Sequence, residues 1–89
     1  MKKIWKYELP ARPGSTSIEM PFGANILTVQ EQHNKPCLWI EADTSAGMRA
    51  KYFTLVETGK VKHPEYGYKY IGTVQLYNGS YVLHVYEVV

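Results

Sequence analysis

The stretch Tyr68-Lys69-Tyr70-Ile71-Gly72-Thr73-Val74-Gln75-Leu76-Tyr77-Asn78-Gly79-Ser80-Tyr81-Val82-Leu83-His84-Val85-Tyr86-Glu87-Val88 decides the fold class. On both sides of Asn78-Gly79 the residues alternate between the two faces of an extended chain. Before that pair, Tyr70, Gly72, Val74 and Leu76 fall on one face and Ile71, Thr73 and Gln75 on the other. After it, Val82, His84, Tyr86 and Val88 oppose Leu83, Val85 and Glu87. Asn and Gly tolerate the positive φ that a type I′ turn requires. Residues 68–77 and 80–88 therefore read as an antiparallel hairpin. Gly72 lies inside the first strand, where a glycine marks a bulge, a bend or a close approach by another group; a bend is the ordinary reading in a small barrel. The second strand is apolar on both faces apart from His84 and Glu87. Such a strand is central in its sheet or covered by a partner, and this one points to a homodimer.

The same alternation recurs upstream, and no window carries a sustained 3.6-residue period. Residues 4–9 place Trp5, Tyr7 and Leu9 on one face and Lys6 and Glu8 on the other. Two prolines and a glycine within 10–15 then break the chain. Residues 17–20 form a short strand with Ile18 and Met20 on one side, and Pro21-Phe22-Gly23 turns the chain. Residues 24–32 set Leu27 and Val29 against Thr28 and Gln30. After the polar turn His33-Asn34-Lys35, residues 37–42 return with Leu38, Ile40 and Ala42 opposite Cys37, Trp39 and Glu41. The short link makes these two a hairpin. Residues 49–58 form another strand, and 59–67 are a charged connection. The sum is one all-β domain over residues 1–89: a small antiparallel β-sandwich or partly open barrel of six to seven strands.

Composition narrows the function. A chain of 89 residues has little room for both a core and a deep water-excluding cleft. Net charge is only +2 and the lysines are scattered, which does not favour nucleic acid. The single cysteine, Cys37, cannot form an intrachain disulfide and fits a reducing cytoplasm. No apolar segment follows Lys2 and Lys3, and no apolar run approaches the roughly 20 residues of a membrane helix. Neither a signal peptide nor a membrane span is expected.

No catalytic pattern emerges. His33, His63 and His84 have neither metal-ligand spacing nor a second cysteine to help them. His84 interrupts an apolar face, and its bland reading is a core-edge histidine hydrogen-bonded to a backbone carbonyl or a tyrosine. Cys37, placed in a strand, lacks the helix N-terminus or neighbouring cation that would activate it. Glu41 and Asp43 share a strand face, but a catalytic carboxylate pair is set by three-dimensional separation. There is no phosphate-binding glycine motif. The weak ligand-binding candidates are Arg49, Lys60, Lys62, His63, Tyr68, Tyr70 and His84, as a tyrosine-and-cation set around a small molecule. No metal and no cofactor is expected.

The run Ser17-Ile18-Glu19-Met20-Pro21, then Gly23-Ala24, Ile26-Leu27, Val29-Gln30 and Pro36-Cys37-Leu38-Trp39, carries a resemblance. Thr58-Gly59, Tyr70-Ile71-Gly72-Thr73, Gln75 and His84-Val85 with Glu87 extend it over nearly the whole chain. The sequence resembles a family of small phage and prophage proteins known only as a domain of unknown function. Here Lys60-Val61-Lys62 stand before His63-Pro64, where relatives often run directly from Thr-Gly to His-Pro. The resemblance implies a bacteriophage accessory protein in the cytoplasm of the host bacterium. The sequence thus predicts a non-catalytic, homo-oligomeric module that binds a host bacterial protein; the alternative is an oligomer that sequesters a nucleotide-type small molecule.

Overall fold

The computed structural model describes residues 1–60 and 67–89. Seven antiparallel strands appear in chain order: β1 (Lys2–Glu8), β2 (Gly14–Pro21), β3 (Asn25–Gln32), β4 (Lys35–Asp43), β5 (Met48–Glu57), β6 (Tyr68–Leu76) and β7 (Tyr81–Val88). They form a three-stranded sheet of order β1-β4-β3 and a four-stranded sheet of order β2-β5-β7-β6. The expected antiparallel all-β class holds, in the two-sheet form. Among the described residues no helix is long and apolar enough to cross a membrane.

The core is made where the two inner faces meet. Val29, Leu38, Ile40 and Ala42 come from the smaller sheet, and Phe53, Leu55, Val74, Leu76, Leu83 and Val85 from the larger one. Leu9 and Met20 join them from either side of the proline-rich link. Burying a side chain of this kind contributes about 1.5–3 kcal/mol, the main favourable term for so short a chain.

β7 lies between β5 and β6. That position pairs both edges of the strand, while Val82, His84 and Tyr86 on its outer face stay only half-buried. β2 begins at Gly14, earlier than the prolines suggested, because an edge strand needs only one ladder: Gly14 pairs with Leu55 and Ser15 with Thr54.

Two strands are bulged, and each bulge reassigns a face. In β3 the register shifts between Ile26 and Thr28, leaving Leu27 as the extra residue. Leu27 is exposed whereas Val29 is buried, so the two do not share a face as strict alternation implies. In β6 the shift falls between Tyr70 and Gly72. Tyr70 pairs with Tyr86 and joins the face of Thr73 and His84, not that of Gly72, Val74 and Leu76.

The β6–β7 link is also wider than a two-residue turn. Leu76 pairs with Tyr81, and Tyr77, Asn78 and Gly79 all have positive φ (52°, 57° and 88°). The Gly79 N–H closes the turn onto the Leu76 carbonyl at 3.0 Å. The two-residue type I′ geometry occurs instead at His33-Asn34, between paired Gln32 and Lys35, with φ of 55° and 61°.

Candidate binding face

The outer face of the larger sheet gathers three of the sequence candidates. The bulge at Ile71 turns Tyr70 outward against Tyr86, with ring centroids 5.5 Å apart and edge-to-face. Tyr68 meets the same Tyr86 ring at 6.3 Å in the same geometry. Edge-to-face pairs set the positive ring edge on the negative face and add about 0.5–1.5 kcal/mol beyond area burial. Tyr70 and Tyr52 remain more than half exposed (55% and 57%), so apolar ring surface faces solvent on a sheet that already has its core on the other side.

His84 sits opposite Thr73 in the β6–β7 ladder. Its Nδ1 lies 2.9 Å from Thr73 Oγ1, and its Nε2 lies 2.7 Å from Thr58 Oγ1. Thr73 Oγ1 is in turn 2.6 Å from the Tyr70 hydroxyl. Both ring nitrogens are therefore engaged by hydroxyls, which can donate or accept. In the neutral imidazole one nitrogen accepts from a threonine hydroxyl and the other donates to one, so the two contacts fix the orientation of the ring. The expected partner was a carbonyl or tyrosine; two threonines hold the ring, with Tyr70 one bond further on.

The cations do not assemble. Arg49 lies near the start of β5, whereas Lys60 follows its far end, more than about 25 Å along an extended strand. Lys62 and His63 lie outside the described residues. Arg49 stacks on Phe22 with its Cζ 4.9 Å from the ring centroid. Both line an open groove of roughly 410 Å³ that also takes in Lys51, Tyr52, Glu87 and Val88. Lys51 Nζ meets Glu87 Oε2 at 2.6 Å, pairing a carboxylate otherwise set in the core face of β7.

Burial pushes the Cys37 thiol up from its ordinary value, the strongest of several influences, and the residue is 1% exposed. A thiol so placed is held in its unreactive form. Among the described residues no three His, Cys, Asp or Glu side chains are placed to hold a metal ion.

A family model described as a domain of unknown function (DUF7352) matches residues 1–89. The chain belongs to this family. Nothing among the curated proteins or the solved structures matches it. Membership in DUF7352 brings no assigned site, so the chemistry must be argued from the residues themselves.

For this DUF7352 chain, sequence reasoning missed Thr58, Thr73 and Tyr86 as parts of the tyrosine face, and Phe22 and Glu87 as walls of the groove. The first group had a signal. Centring the hairpin on Asn78-Gly79 already places Thr73 across from His84. The groove had none, because it depends on where the β5–β7 ladder stops.

Proposed function

We propose that this protein is a non-catalytic binding module that presents the outer tyrosine face of its larger sheet to a protein partner. The carrying observation is the assembly of Tyr68, Tyr70 and Tyr86 beside a His84 ring whose two nitrogens are already engaged. Tyrosines supply large, stiff contact area with a polar tip and dominate many binding hot spots. A histidine held by two hydroxyls keeps one orientation, which suits a rigid recognition surface. The likeness of its motifs to small phage and prophage proteins supports a phage-encoded accessory role on a host protein in the bacterial cytoplasm. Self-association into a homo-oligomer belongs to the same reading, since an exposed aromatic face also suits a second copy.

The alternative, capture of a nucleotide-type small molecule, draws on the Arg49 groove. Its volume falls within the usual range for small ligands. Incubating the purified protein with bacterial lysate, re-isolating it and recording native mass spectra separates the two. A co-purifying protein supports the binding module. A small added mass supports the ligand reading. A bare chain counts against both, and a bare oligomer supports self-association alone.

A further inference from the structure

The end strands of the two sheets differ in what they carry. β3 and β6 lie against each other, whereas β1 ends the smaller sheet and β2 the larger one with no strand paired beyond them among the described residues. On β1 stand Lys2, Lys3 and Lys6, and lysines of this kind keep a further strand from pairing with an edge. β2 has no lysine, no arginine and no proline before Pro21, and its one charge is Glu19. The β1 edge is therefore blocked and the β2 edge is left open to pairing.

The backbone groups that β2 turns outward follow from its ladder. The Phe22 N–H donates to the Gly47 carbonyl at 2.8 Å, continuing the register in which Pro21 stands opposite Met48 and Met20 opposite Arg49. Residues along a strand direct their N–H and C=O groups alternately to either side. Thr16, Ile18 and Met20 therefore bond to β5, and Ser15, Ser17 and Glu19 face the free edge. The Pro21 carbonyl has the same outward parity and accepts from the Ala24 N–H at 3.1 Å. The edge is open on both faces. Thr16, Ser17 and Ile18 line a groove with the Glu8–Arg12 link, and Ser15, Thr16 and Ser17 line another with Tyr52. Consecutive residues reach one groove through the edge of a strand, because their side chains alternate between faces.

We infer that β2 pairs with β2 of a second copy of this chain, antiparallel about a two-fold axis at Ser17, so that two four-stranded sheets join into one. A two-fold contact needs a patch that complements itself, and this register supplies one. Ser17 faces Ser17, and each Ser15 faces Glu19 of the other copy. The outward N–H and C=O groups of all three residues then find partners. On the outer face the Ser15 hydroxyl donates to the opposite Glu19 carboxylate. An axis at Glu19 would instead set two carboxylates directly opposite, which is destabilising. On the inner face the half-buried Ile18 of each copy stands opposite Thr16 of the other and loses its remaining contact with water. The contact leaves the tyrosine face around His84 uncovered and does not depend on it.

The test is sedimentation of the full chain over a concentration series, with amide hydrogen exchange measured at both ends of the series. The expected result is a dimer. Its Ser15, Ser17 and Glu19 amides gain protection as concentration rises, while those of Thr16, Ile18 and Met20 are protected throughout. Ser17→Pro removes the central N–H without touching the β5 ladder, and Ser17→Lys installs the lysine that this edge lacks. Each should raise the dissociation constant by about tenfold or more and keep the folded spectrum, as the loss of two hydrogen bonds implies. Tyr68→Ser/Tyr70→Ser should leave the dimer intact, which separates this contact from self-association through the tyrosine face. A monomer at every concentration, a dimer that survives both Ser17 substitutions, or outward amides whose protection ignores concentration overturns the inference.

Discussion

A Cβ placed on Gly72 would stand 2.9 Å from Val29 Cγ1. The two residues lie in the bulged strands β6 and β3, which belong to different sheets. Here the two sheets approach closely, and the glycine is what allows it. Val29 is 4% exposed and β-branched, so its methyl group has no easy way to yield. Gly72→Ala should therefore destabilise the fold by about 1–3 kcal/mol, as overpacking a tight core does. Urea denaturation checks this. Adding Val29→Ala should recover part of the loss, so that the double variant is more stable than the sum of the singles implies.

The tips of the two hairpins are tied by one bond, in which the Tyr77 N–H donates to Asn34 Oδ1 at 2.9 Å. Asn34 itself is left-handed, with φ of 61°. Asn34→Gly keeps that backbone and removes the tie, with an expected cost of about 0.5–1.5 kcal/mol. Asn34→Ala adds the strain of a left-handed alanine, roughly 1 kcal/mol more. No loss in Asn34→Gly would mean that the bond carries nothing, and equal losses for the two variants that the left-handed strain carries nothing.

The hairpin that decided the fold class was legible because Asn78-Gly79 fixes its centre, and the ladder from Leu76 opposite Tyr81 to Gly72 opposite Val85 keeps that register. Alternation failed where a residue was inserted. Gly72 leaves a bulge beside Ile71 among the readings, whereas nothing in the sequence marks Leu27. Alternation consequently puts Tyr70 on the wrong face, and it hides the cluster although Tyr68 and Tyr70 stand among the candidates. The doubly apolar strand β7 is readable as central or partnered, and the strand order shows it central. Arg49 and Lys60 were grouped by charge, but one strand keeps them apart, a separation that composition does not carry.

Removing one side of the Lys51–Glu87 pair strands the other. The Glu87 side chain is 10% exposed and that of Lys51 30%. Lys51→Met should cost about 1–3 kcal/mol, below the range for a fully buried pair because water reaches the lysine. Lys51→Met combined with Glu87→Leu should restore most of it. Thermal unfolding of the three variants separates a lost attraction from an uncompensated carboxylate.

Asp43 accepts hydrogen bonds from the Ser45 hydroxyl at 2.7 Å and the Ser45 N–H at 3.0 Å. The hydroxyl bond first, then the N–H bond and the nearby chain amine, hold its carboxyl below the usual carboxylate range. A depressed value in the folded state stabilises the fold at pH above the ordinary carboxylate range. That contribution is lost as pH falls through the lowered value. Carboxyl NMR titration should show Asp43 titrating low, and Ser45→Ala should move it upward. An unchanged midpoint in that variant would remove Ser45 as the cause.

The central claim is that binding runs through the tyrosine face, and a paired affinity capture from bacterial lysate tests it most directly. Wild type, a Tyr68→Ser/Tyr70→Ser variant and a Lys2→Ser control on the other sheet are compared by quantitative mass spectrometry, each first shown to be folded. The account predicts a protein partner held equally by wild type and control and reduced by about tenfold or more in the tyrosine variant, the loss expected when hot-spot residues are truncated. Equal recovery by all three, or no partner held by any, contradicts it.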